Sequence, residues 1–177
     1  VGYPEPRLRP QGFETLLSII LGQQISTEAA ASIRRRLDEV WNDQTYRSFL
    51  DLNDKTLHGV GFSRRKVEYA KGIANSIADG TLDMDDLQGM SDLEVIAQLV
   101  KLRGIGVWSA EIYCIFSLGR PDIFPADDLA IQESLKLLKG LKERPSGKQS
   151  RELTAFWSPW RSAGSLFLWK YYRGAPN

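Results

Sequence analysis

Apolar residues return at helical spacing along most of the chain. Phe13, Leu16, Leu17, Ile20 and Leu21 keep the i, i+3, i+4, i+7, i+8 rhythm of one helix face, which "GQQIS", beginning at Gly22, interrupts. A second helix follows, with Ala29, Ile33, Leu37 and Val40 turned inward. "SRRKVEYAKGIANSIADG" opens on Ser63, a residue suited to an N-cap, places Val67, Ala70, Ala74 and Ile77 on one face, and stops at Gly80. "SDLEVIAQLVKL" carries a capping box, with Ser91 and Glu94 three apart, ahead of an apolar face of Leu93, Ile96, Ala97 and Val100. Two more helices are expected over 107–118 and 128–138. The polar "KGLKERPSGKQS" reads as a loop, and a last helix beginning near Pro159 holds Trp160, Ala163, Phe167 and Tyr171. No strand-like alternation and no repeat stands out, so the fold class is all-α with short loops.

Composition narrows the choices. A chain of 177 residues is one large domain or two small lobes, long enough to bury a sizeable core. The net charge of +1 gives no global attraction for a polyanion, so any nucleic-acid contact must come from local patches and backbone amides. A single cysteine, Cys114, excludes an intramolecular disulfide, a four-cysteine zinc site and an iron–sulfur cluster, and lone His58 has no metal-ligand partner at useful spacing. There is no run of eighteen apolar residues and no signal-peptide core, so a soluble cytosolic protein is expected; the chain opens on valine, which leaves room for a preceding segment.

One stretch carries chemistry: "LRGIGVWSAEIYCIFSLGRPDIFPADDLAIQ". Two helices joined by Leu102, Arg103, Gly104, Ile105 and Gly106 need the glycines for a tight reversal with positive φ or close backbone approach. The turn and the first turn of the next helix then present amides that suit a phosphate, and the turn's carbonyls suit a monovalent cation. On these residues alone the segment is equally a plain helical hairpin, and Asp127 and Asp128 are equally caps of the helix they precede.

With its context, however, the segment resembles the helix-hairpin-helix DNA glycosylase superfamily, and within it the 3-methyladenine DNA glycosylase II family. "GFETLLSIILGQQISTEAAASI", "GVGFSRRKVEYAKGIA", "LRGIGVWSA" and "SPWRSAGSLFLWKYY" lie in the family's order and cover nearly the whole chain. The resemblance implies one glycosylase domain over 1–177, with two helical lobes, a cleft between them and the hairpin at about 91–118. It implies a monofunctional enzyme that flips an alkylated purine out of duplex DNA and hydrolyses its N-glycosidic bond, leaving an abasic site. Asp128 falls on the catalytic position, and Asp127 reads as cap or support. Trp108 and Trp169 fall in the base pocket with Ile112, which replaces a second aromatic, and Leu129. By the same resemblance Gly104, Ile105 and Gly106 grip the DNA backbone, and Gln24 with Gln23 beside it fills the vacated stack; from the residues themselves, "SRRK", with Ser63 and Arg64 through Lys66, and as weaker candidates Arg34 to Arg36, suit phosphate, or else form an ordinary solvated face.

Bifunctional branches of the superfamily carry a lysine where this chain has Trp108, so no lyase step is expected. Trp41, Trp157 and Trp160 read as core. No cofactor is implied beyond a monovalent cation on the hairpin carbonyls, and no metal ligand comes from side chains. The partner is damaged double-stranded DNA, met by a monomer with no membrane contact. The compartment is cytoplasmic and nucleoid-associated in a bacterium, nuclear in a eukaryote. 3-Methyladenine, 7-methylguanine, ethenoadenine and hypoxanthine all remain as substrates, and a non-catalytic DNA-binding module remains as the alternative.

Overall fold

A computed structural model describes Gly2, Pro4 and residues 8–174. The helices are α1 (Phe13–Gly22), α2 (Thr27–Asp38), α3 (Tyr46–Asp51), α4 (Asp54–Val60), α5 (Arg64–Ala78), α6 (Asp92–Leu99), α7 (Val107–Phe116), α8 (Leu129–Lys139), α9 (Gly147–Thr154) and α10 (Arg161–Gly174). Among the described residues there is no strand. Side chains of Ser26, Thr45, Asn53, Ser63, Ser91, Asp128 and Ser146 cap the helices that follow them, which satisfies amides that a bare helix start leaves open.

The chain divides into two compact units, residues 9–113 and, in the main, residues 114 onward, with α7 running across the division. In the first unit α1 packs on α2 and α5. Leu16, Leu17 and Ile20 of α1 are fully buried, as are Ala70 and Ala74 of α5, and full burial of each large side chain contributes about 1.5–3 kcal/mol. Phe13, Trp41 and Phe49 close one end of this core edge-on, with centroids 5.2–5.8 Å apart. The Trp41 indole N–H, buried with its ring, donates to Thr45 O and Ser48 Oγ, both at 3.0 Å. Arg34 ties α2 to α1 by ion pairs at 2.7 Å to Glu14 and to Asp38 on its own helix.

In the second unit α8 packs on α10 around Phe124, Ala126, Ile131, Leu135 and Leu168. The inward face of α10 includes serines. Ser162 Oγ donates to Arg120 O at 2.6 Å and accepts the Ile123 N–H at 2.9 Å, and Ser165 Oγ donates to Arg161 O at 3.0 Å. Their small size lets α10 approach the 120–123 segment, and their hydroxyls answer its polar groups.

Several sequence expectations shift. The buried residues of α6 are Val95 and Leu99, while Leu93 is 80% exposed and Val100 38% exposed. Two apolar series interleave there, and the core takes Val95, Leu99 and Leu102. Of the second helix's expected inward series, Leu37 is buried in α2 but Ala29 is exposed, and Val40 lies past the end of α2 and is exposed. Helix α10 begins at Arg161, and Trp160, expected in the core, is 66% exposed because it precedes the helix. Trp157 packs on the α8–α10 core and Trp41 is buried, as expected. The stretch read as loop holds the start of α9, whose Ser146 and Gln149 form a second capping box.

Candidate DNA-binding and catalytic site

The hairpin joins α6 to α7. Gly104 has φ +93°, and the Tyr69 ring of α5 occupies the space where a Cβ would project, so two independent constraints exclude a side chain there. Arg103 pairs at the surface with Glu68, the neighbour of Tyr69, a further link between the turn and α5. Gly106 differs. It is exposed, and a Cβ added there would meet nothing within 4 Å. The backbone just ahead of α7 is therefore bare, with the helix amides behind it, an arrangement that admits a phosphate oxygen. Ile105 is 5% exposed and anchors the turn from inside.

The loop between α1 and α2 bends sharply. Gln23 leaves α1 in an extended conformation, and Gln24, exposed, has φ +59°, a left-handed value uncommon outside glycine. The two glutamines point to different tasks. Gln23 Nε2 donates to Gly104 O at 2.9 Å and to Ser109 Oγ at 3.0 Å, so its amide faces the hairpin. Lys66 Nζ donates to Leu21 O at 2.6 Å, closing the C-terminal end of α1, and burial pushes its ammonium pKa down. Ile25, 37% exposed, stands beside Gln24 on the same turn.

Of the basic residues, Arg64 and Arg65 are exposed in the first turn of α5, behind the Ser63 cap. Arg34 is committed to its two carboxylates, and Arg36 donates to Val60 O at 2.9 Å. These two are engaged within the fold, although Arg36 is exposed like Arg35, for which no such contact is seen among the described residues. Trp108 is half-buried in the first turn of α7, and Ile112 is 7% exposed. The His58 Nδ1 lies 3.0 Å from Phe62 O, a local contact at the α4–α5 turn.

In the second unit Asp128 is the N-cap of α8. One carboxylate oxygen accepts the N–H groups of Ala130 at 2.9 Å and Ile131 at 3.0 Å. The cap assigned to Asp127 thus belongs to Asp128. Asp127, exposed, instead packs its carboxylate on the Cα of Gly147, the first residue of α9. Gln132 Nε2 donates to Ala126 O at 2.8 Å and Arg151 to Phe124 O at 3.1 Å, so the segment leading to Asp128 is braced from α8 and α9. Trp169 packs against the core containing Ala126 and Ile131, with its ring 5.5 Å from that of Phe116. Leu129 is 63% exposed beside Asp128.

Asp128 and the hairpin glycines are singled out by the sequence, whereas Tyr69, Ser109, Gln132 and Arg151, which hold the hairpin or the segment leading to Asp128, are not. None of the four has a local signal, because each acts on a segment distant in sequence or through a carbonyl. Among the described residues, no cluster of three or more His, Cys, Asp or Glu is placed to hold a metal, and no helix is long and apolar enough to cross a membrane.

Residues 17–160 match the family model described as the HhH-GPD superfamily base excision DNA repair protein. DNA-3-methyladenine glycosylase 1 of Schizosaccharomyces pombe is 30% identical over 166 residues, covering 92% of this chain and 73% of that protein. A DNA-3-methyladenine glycosylase of Bacillus subtilis is 31% identical over 173 residues; the match takes in 91% of this chain but only 57% of the longer Bacillus protein. Among solved structures, the Schizosaccharomyces pombe 3-methyladenine DNA glycosylase in complex with abasic DNA superposes with a TM-score of 0.91 at 29% identity, over 99% of this chain and 88% of that one. On this match, and with the glycine hairpin followed by a capping aspartate, the chain belongs to the HhH-GPD superfamily of base excision DNA repair proteins.

Proposed function

We propose that the protein is a monofunctional DNA glycosylase that extrudes an alkylated purine nucleotide from duplex DNA and hydrolyses its N-glycosidic bond. The observation that carries this reading is a bare glycine turn and a carboxylate fixed by two amides on one chain, in a family whose relatives above are named 3-methyladenine glycosylases. The turn at Gly106 takes a backbone phosphate, aided by Arg64 and Arg65, and holds the duplex without reading its sequence. Gln24, with Ile25 beside it, fills the gap left by the extruded nucleotide.

The bond between C1′ and the purine nitrogen then breaks with its electron pair moving to the base. A purine alkylated at N3 or N7 is already cationic, so it departs as a neutral base and needs little help from an acid. Asp128 stabilises the oxocarbenium-like sugar and orients the water that adds to C1′, and the proton released passes to solvent. A charge pair about 4 Å apart in an effective dielectric near 20 interacts by roughly 4 kcal/mol, on the order of a thousandfold in rate. Trp108 of α7, with Ile112 one turn on, and Trp169 of α10 each offer an indole face suited to a cationic purine, and Leu129 adds an apolar side chain next to Asp128. No amine stands at position 108, so the abasic product is left uncut.

If a monovalent cation binds the hairpin, the turn's carbonyls would hold it. Those of Leu102 and Gly104 already accept the Ile105 N–H and the Gln23 amide, which leaves each one lone pair for such an ion. Its contribution would be positive charge beside the phosphate. The protein would work wherever the cell keeps its DNA.

The test is base release from single-lesion duplexes carrying 7-methylguanine, ethenoadenine or hypoxanthine and from alkylated DNA rich in 3-methyladenine. Release of free base with an alkali-labile, unbroken strand is expected. Tight binding to an abasic-analogue duplex without release from any substrate would leave only a DNA-binding module.

A further inference from the structure

The α1–α2 loop and the hairpin are joined by one side chain. Gln23 spends both N–H donors of its amide on the hairpin, one on Gly104 O and one on Ser109 Oγ, across more than eighty residues of sequence. Ser109 is 2% exposed and Gln23 half-buried, so these bonds are sheltered from water. The next residue, Gln24, is held in a left-handed conformation that a glutamine would not choose unaided. A second tether lies at the other side of the bend, where Lys66 binds Leu21 O. Gly104 itself is immobilised by the Tyr69 ring.

We propose that Gln23 is a positioning residue that locks the plug to the phosphate clamp. Its amide makes the loop carrying Gln24 and the hairpin carrying Gly106 a single rigid body, so that gripping the backbone aims the plug at the neighbouring gap. The proposal rests on the functional reading above and assigns Gln23 away from DNA contact. A residue that met DNA directly would present its amide outward; here both donors are used inside. Preorganisation matters because a few kcal/mol of stacking is lost when a nucleotide leaves the helix, and a loop already in place meets none of the ordering cost at that moment.

The experiment compares wild type, Gln23→Met, Gln24→Ala, the double variant and Ser109→Ala. Methionine keeps the length of the side chain and removes both donors. Each protein is titrated onto two duplexes, one undamaged and one with a tetrahydrofuran abasic analogue opposite 2-aminopurine, whose fluorescence reports plug insertion. Gln23→Met is expected to weaken binding to the analogue duplex about tenfold while changing undamaged-duplex affinity by less than about twofold, a selective loss that general destabilisation does not produce. The double variant is expected to be no weaker than the weaker single variant, since Gln23 acts through Gln24. Additive losses, or equal losses on both duplexes, would overturn the proposal. Should Gln23→Met fail to fold, Ser109→Ala decides: a selective loss of about threefold supports the tether, and unchanged selectivity refutes it. Base release is measured in parallel. A wild type that releases no base yet shows the coupled binding pattern sinks the glycosylase reading alone, whereas a wild type indifferent to the abasic analogue sinks both.

Discussion

At residue scale the site rests on a few side chains whose structural and chemical duties can be separated by substitution. Asp128 caps α8 and is also the proposed catalytic carboxylate. Asparagine caps a helix about as well as aspartate, so Asp128→Asn should leave the melting temperature nearly unchanged. The same change should slow base release about a thousandfold, with binding to an abasic-analogue duplex retained. Asp128→Ala should add a loss of about 1 kcal/mol in stability from the missing cap. A single-turnover assay beside a thermal melt checks both; if Asp127→Asn proves the more damaging change, the assignment passes to Asp127. The two hairpin glycines divide in a similar way. Gly104→Val puts a branched side chain at φ +93° against Tyr69 and should destabilise the fold by several kcal/mol. Gly106→Ala has open space and should melt like wild type, yet weaken binding to every duplex alike, because it crowds only the phosphate. A loss confined to one lesion would contradict the clamp.

At element scale the polar contacts between segments matter most. Asp122 joins the segment after α7 to the start of α10, pairing with Arg161 at 2.7 Å and accepting from Ser158 at 2.8 Å. The Arg161 hydrogen bonds, with a smaller contribution from Ser158, lower its carboxyl to about 2 from 3.8. Because the folded-state value is the lower one, the stabilisation is fully present above pH about 4 and fades as pH falls toward 2. Asp122→Asn should therefore lower the melting temperature at pH 7, and the gap from wild type should narrow between pH 4 and 2, as followed by circular dichroism. A gap independent of pH would show that packing, not the ion pair, sets the loss. The same contacts explain what the sequence could and could not disclose. Helices with one dominant apolar series, such as α1 and α5, were legible, as were the caps at Ser63 and Ser91 and the glycine turn. The α6 face was misread because two apolar series compete, and the α10 face because buried serines with backbone partners look like surface. Asp128 stands out in the sequence only through its place after the hairpin; the bonds of Gln23 to Gly104 O and of Arg151 to Phe124 O span 81 and 27 residues, and that of Gln132 reaches back to the backbone carbonyl of Ala126, so no spacing of side chains betrays them.

At the scale of the whole molecule, charge bears on how the proposed DNA substrate would be held. A net charge of +1 over 177 residues gives no long-range pull, so affinity must come from a short-range set of contacts. Arg34 and Arg36 are occupied within the fold, whereas Arg64 and Arg65 stand exposed at the N-terminal end of α5. The backbone amides near Gly106 are neutral, so a phosphate held there adds little to counterion release. If Arg64 and Arg65 are the principal cationic contacts, each releases about one counterion, and each should account for about 0.9 of the slope of log affinity against log salt. Wild-type binding to an abasic-analogue duplex, followed by fluorescence anisotropy between 50 and 200 mM KCl, should then show a shallow slope. Replacing both arginines with alanine should flatten it by about 2, with equal effect on undamaged duplex, since phosphate contacts carry no information about the lesion. An unchanged slope in the double variant would place the cationic contacts elsewhere and leave the N-terminal end of α5 as ordinary solvated surface.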